Sequence, residues 1–198
     1  MTLTQNEVYG LILAAVLIAA LISVIAWASA QRRRKESLRL QQRFGPEYVR
    51  LVNEHGRVKA EAELAAREKR VAALALHALP AAEAARFREA WLAIQARFVD
   101  DPKASVVEAD HLVYDLMAKR GYPMGDFERR AADISVDHPA VVANYRAARA
   151  IALRDERGEA STEELRTAVV HYRALFQELL EVREPQAQVI PNRAVSVS

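Results

Sequence analysis

The sequence predicts an all-α protein made of one N-terminal transmembrane helix, a long stalk helix and a compact bundle of about four helices. Three observations carry this expectation. Residues 8–28 are apolar throughout apart from Ser23. Only six Gly and seven Pro punctuate the 198 residues. Apolar side chains recur three and four positions apart, and no stretch alternates polar with β-branched residues as a half-buried strand would.

The first element is set by length. A helix over residues 8–28 rises about 1.5 Å per residue, or roughly 31 Å, which matches a hydrocarbon core of about 30 Å. Its Leu, Ile, Val and Ala side chains leave no polar face, so a helix lying on the membrane surface fits poorly. Tyr9 and Trp27 stand where the two interfacial aromatic belts would be. Before the run there is no Lys or Arg, and after it come Arg32, Arg33, Arg34 and Lys35, then Arg39 and Arg43. The positive-inside rule therefore predicts an N-terminus outside and everything after Gln31 in the cytoplasm. Arg32 to Lys35 read as a lipid-headgroup collar, each residue contributing on the order of 1 kcal/mol beside anionic lipid. The alternative is a signal peptide cut after Ala28-Ser29-Ala30, which would release an exported helical domain.

All 28 Lys and Arg follow the apolar run, against 25 acids (the total of 26 less Glu7), leaving about +3 on the remainder. That balance argues against a nucleic-acid partner, which calls for a dominant basic patch. There is no cysteine, which removes disulfides and Cys nucleophiles from consideration.

The anchor helix is expected to run on to about Phe44, where Gly45-Pro46 interrupts it and Pro46 opens the next helix. From Glu47 to about His77 the composition suggests a charged, Ala-rich stalk. Leu51, Val58, Ala65 and Ala72 would form its seam, on itself, on a second copy or on the domain beyond. Leu79-Pro80 ends it. Phe87, Trp91, Ile94 and Phe98 then share one helical face. Asp101 caps a helix that starts at Pro102 and turns Val106, Ala109, Val113, Leu116 and Met117 inward. Asp137 is read as the cap of a helix with Val141, Tyr145, Ala148 and Ala152 inward. Ser161 and Glu164 form a capping box ahead of Leu165, Val169, Tyr172, Phe176 and Leu179. The expected segments are thus an anchor at 1–31, a basic segment and stalk at 32–79, a bundle at 80–184 and a disordered tail at 185–198.

Signals for chemistry are sparse. Glu108 and His111 have the Glu-x-x-His spacing of di-iron bundles, with Asp115 one turn on, but the motif occurs once where such a site needs two. These three residues are the metal or enzyme alternative; no cofactor is expected, and there is no phosphate loop or nucleophile elbow. The least generic segment runs from Arg120 to Arg146, through a turn, a short helix and a helix start. Tyr122, Phe127, Arg129, Arg130, His138, Tyr145 and Arg146 are of the types that form binding hot spots. The competing reading has Tyr122 and Phe127 plugging the bundle end while Arg and Asp pair around them.

Several short stretches carry a resemblance: Phe44-Gly45-Pro46-Glu47-Tyr48, Arg97-Phe98-Val99-Asp100, Arg120-Gly121-Tyr122-Pro123, Asp126-Phe127-Glu128, Asp137-His138-Pro139 and His171-Tyr172-Arg173. From Leu40 to Leu180 the chain resembles a bacterial family of single-pass, mostly helical proteins labelled as hypothetical membrane or secreted proteins. The resemblance implies an inner-membrane protein and brings no activity, cofactor or site residue with it. The expected function is a non-catalytic interaction or scaffold module that meets a protein partner at the membrane.

Overall fold

The computed structural model describes residues 5–180, with side chains from residue 17 onward. Among the described residues there are eight α-helices and no strand, so the protein is all-α. The chain divides into two compact units, Met1–Lys69 and Arg70–Ser198.

In the first unit, α1 (Gln5–Phe44) is one unbroken helix of 40 residues. It ends as the sequence requires. Gly45 sits at φ 48, a left-handed value open to glycine, and Pro46 takes the first position of α2 (Pro46–His55). The expected single stalk helix is two helices, because Gly56 at φ 76 breaks the chain before α3 (Arg57–Ala72). After Ala72 the chain leaves the helix and does not re-enter one until Ala81. Within the chain the packed face differs from the expected seam: Leu51 is buried, but Val58, Ala65 and Ala72 are exposed, while Ala60, Leu64 and Arg67 are buried.

The reason is that α2 and α3 fold back on the C-terminal part of α1. Leu40 and Phe44 from α1, Tyr48 and Leu51 from α2, and Ala60 and Leu64 from α3 are the buried apolar side chains of this unit. Full burial of a Leu or Phe side chain contributes about 1.5–3 kcal/mol, more than an Ala-rich seam could. Polar contacts fix the register. Ser37 Oγ donates to Glu61 Oε1 at 2.6 Å, the same oxygen that accepts from the Tyr48 hydroxyl at 3.0 Å. Arg39 grips both carboxylate oxygens of Glu68 at 2.8 and 2.6 Å and, with Arg43 nearby, holds that carboxyl below its usual range. Glu47 and Arg67, both almost fully buried, are bonded at 2.9 Å.

Further up α1, the apolar side chains Leu17, Ile18, Leu21, Ile22, Val24, Ile25 and Trp27 are all 58–66% exposed. Among the described residues no helix is long and apolar enough to cross a membrane. The first part of the expected span, residues 8–16 with Tyr9, lies outside those whose side chains are described, as does the expected tail at 185–198.

Among the described residues, five helices lie in the second unit beyond α3, where about four were expected: α4 (Ala81–Arg97), α5 (Pro102–Arg120), α6 (Phe127–Asp137), α7 (Pro139–Glu156) and α8 (Thr162–Leu179). The predicted inward faces are inward. Trp91 and Ile94, the five named residues of α5, and Leu165, Val169, Tyr172, Phe176 and Leu179 are buried in one core, with Phe87 and Phe98 packed at its edge. Asp101 accepts from the Ala104 N–H at 3.0 Å, and both halves of the Ser161/Glu164 capping box form. One cap differs from expectation. Asp137 is the last residue of α6, and His138 stands at the start of α7 without a side-chain cap bond. Pro139 disfavours helical geometry at the residue before it, so the break falls on His138, at φ −128 and ψ 56.

Candidate functional site

The segment from Arg120 to Arg146 begins where α5 ends. Gly121 closes that helix in the left-handed region at φ 91, and a Cβ there would lie 2.8 Å from the Ala75 carbonyl oxygen. The His77 N–H donates to the Arg120 carbonyl at 3.1 Å, so residues 73–80 run directly against this turn. Only glycine satisfies both the backbone angle and the close approach.

Tyr122 follows and is buried, its hydroxyl without a hydrogen-bond partner among the described residues. Burial pushes that hydroxyl up to about 12. Asp126 then caps α6, accepting from the Arg129 N–H at 2.8 Å. The helix is short yet enclosed: all six residues from Ala131 to Val136 are buried, including Asp133 at 0% exposure. That carboxylate accepts two bonds from Arg70, at 2.8 and 2.6 Å, and Arg129 stands 3.8 Å from its other oxygen.

An aromatic and cationic chain links α6 to α5, α7 and α8. Phe127 packs on Tyr145 with ring centroids 4.7 Å apart, and Tyr145 meets Tyr172 edge-on at 6.4 Å. Arg130 bonds the Tyr145 hydroxyl at 3.3 Å and the Gly125 carbonyl at 2.6 Å, and lies over the Tyr114 ring. Tyr172 donates to Asp110 at 2.9 Å, and burial raises its hydroxyl well above the usual tyrosine value.

Burial narrows the contact reading of the segment. Tyr122 and Tyr145 are 3% and 1% exposed, so a surface-contact role does not fit them. Phe127 is packed against the core, Arg146 pairs with Glu128 at 2.5 Å, and His138 Nδ1 lies 3.2 Å from Glu178. Arg129 is exposed, and its guanidinium faces Asp133. The rings close the end of the bundle, and the charges satisfy one another around them.

Glu108, His111 and Asp115 share the rim of an open groove of about 460 Å³ between α4 and α5. Glu108 is paired with Arg97, whereas His111 and Asp115 are exposed. Among the described residues no three His, Asp or Glu side chains converge as a metal would require.

The basic residues that follow the apolar run fall into two kinds. Arg39 and Arg43 are paired with Glu68, whereas Arg32, Arg33, Arg34 and Lys35 are exposed and make no ion pair among the described residues. Sequence reasoning missed the buried Glu47–Arg67 and Asp133–Arg70 pairs, because a carboxylate and a guanidinium 20 or 63 positions apart show no local spacing. Compared with family models, curated proteins and solved structures, the chain has no match, so its function rests on the contacts described above.

Proposed function

We propose that this protein is a non-catalytic binding module tethered to a bacterial inner membrane by the N-terminal part of α1, with the N-terminus outside. The observation that carries the reading is the state of α1 itself. From Leu17 to Trp27 it presents apolar side chains on every side, exposed, and one turn further on come four cations without acidic partners among the described residues. An apolar helix uncovered all round is costly in water and favourable in lipid, where each Leu, Ile or Val contributes about −0.3 to −0.6 kcal/mol. Arg32 to Lys35, without an ion pair among the described residues, suit anionic headgroups, in contrast to Arg39 and Arg43, which share Glu68. A tether of this kind raises the effective concentration of the module for any partner at the bilayer, so a modest contact surface suffices.

The test is fractionation of cells expressing the full chain with a C-terminal reporter that fluoresces only when folded in the cytoplasm. Retention in membranes after alkaline carbonate extraction, with the reporter bright, is the expected result. A mature protein that begins near Gln31 and is recovered outside the inner membrane would overturn the reading.

A further inference from the structure

A second surface of the helical unit lies between α4 and α8. These helices meet through side chains, Trp91 stacking on Phe176 with ring centroids 4.8 Å apart, and a groove also lies between them. Phe98 and Val169 line the groove, and Val170 is 46% exposed beside them. On α4, Leu92 stands one helical turn from Gln95 of the lining and is 64% exposed. Apolar side chains left this open on a packed domain mark a place where something else sits.

Cations outnumber acids around the groove. Arg88 lies one turn before Leu92 on α4, and Arg173 lies one turn after Val169 on α8. Both are exposed, and neither makes an ion pair among the described residues. Arg166 stands over the Phe98 ring at 6.0 Å and is paired with Glu163, and Glu89 also lies one turn before Leu92 on α4. No residue lining the groove is acidic.

We propose that this groove docks an acidic amphipathic helix of a protein partner. An apolar face would fill the space over Phe98 and Val169, and carboxylates on the flanks would meet Arg88 and Arg173. A groove between two helices accepts a third helix as a bundle does, whereas a flat bilayer would not reach its floor. The stretch from Arg88 to Val99 rises about 16 Å, so the occupant needs roughly three turns. The inference deepens the reading of this unit as a binding module and does not depend on the anchor, so its failure leaves the membrane test above untouched.

The experiment uses the full chain in zwitterionic nanodiscs. The probe is a fluorescent synthetic helix of about fourteen residues with Leu on one face and Glu on the other, beside a twin in which Lys replaces Glu. The Glu probe is expected to bind with salt-sensitive affinity and the Lys probe to bind at least about tenfold more weakly. The double change Arg88→Glu with Arg173→Glu should weaken the Glu probe by a similar factor, as should Leu92→Ala with Val170→Ala, whose side chains are exposed and therefore spare the fold. Lys119→Glu, a charge reversal on an exposed face of α5, should leave binding unchanged. Equal binding of the two probes, no binding of either, or equal losses in all variants would overturn the proposal. Because the chain has no cysteine, Val170→Cys can carry a single polarity-sensitive dye. A blue shift of that dye on moving the protein into phosphatidylglycerol nanodiscs, without any probe, would assign the face to lipid and equally overturn it.

Discussion

Replacing Arg70 should destabilise the second unit more than replacing Asp133, although the two residues form one ion pair. The asymmetry follows from burial. The Asp133 side chain is 0% exposed, whereas 27% of Arg70 reaches solvent. Removing Arg70 strands a carboxylate that has lost two bonds, with only Arg129 at 3.8 Å to compensate. Breaking a buried pair in this way costs about 3–5 kcal/mol, and the residual Arg129 contact brings the expectation for Arg70→Ala to about 2–4 kcal/mol. Asp133→Ala leaves a guanidinium that can turn outward and rehydrate, so its cost should be about 1–2 kcal/mol. Urea unfolding of the full chain in nanodiscs, followed by far-ultraviolet circular dichroism, measures both. Equal costs, or a larger cost for Asp133→Ala, would show that the pair is solvated and that α6 is not held as described.

Three further outcomes are expected. Gly121→Ala should cost about 2–3 kcal/mol and Gly56→Ala about 1 kcal/mol by the same assay, since both sit at positive φ but only Gly121 faces a carbonyl 2.8 Å away. Tyr172→Phe should cost about 1–2 kcal/mol by removing the donor to Asp110, without disturbing the Tyr145 ring contact. Glu164 is held at about 2 by the Ser161 N–H, the Ser161 hydroxyl and Arg154, below its unfolded value of 4.5. A depressed carboxylate stabilises the fold fully above pH 4.5 and loses that contribution as pH falls toward 2. The gap in stability between wild type and Glu164→Gln should therefore close over that interval, and a constant gap would count against the capping box.

Much of this architecture was legible wherever a local rule and the core agreed. Gly45-Pro46, Asp101-Pro102 and Ser161-x-x-Glu164 set element ends at the expected residues, because each acts through its own backbone and needs no distant partner. Gly56 was not legible as a break, since an isolated Gly costs a helix only about 1 kcal/mol and is often tolerated within one. The seven-residue repeat of Leu51, Val58, Ala65 and Ala72 does not mark the face packed within the chain, for a related reason. Two of its members are Ala, which is apolar without demanding burial, and the break at Gly56 puts Leu51 and Val58 on different helices. In the segment from Arg120 to Arg146 the residue types were correctly noted as unusual. Whether Tyr122 and Tyr145 faced solvent or core depended on α6 being enclosed, which no periodicity over eleven residues reveals.

The continuity of α1 sets an angular phase between its two ends. Each residue advances the helix by about 100° and 1.5 Å, so the azimuth of Leu40 and Phe44 is fixed by the number of residues that separate them from Trp27. One residue inserted near Ser29 would swing those two side chains about a quarter turn away from α2 and α3, whereas seven would return them to within about 20° of where they began. The helix thus works as a keyed shaft: a rotation of α1 as a whole about its axis would carry Leu40 and Phe44 with it.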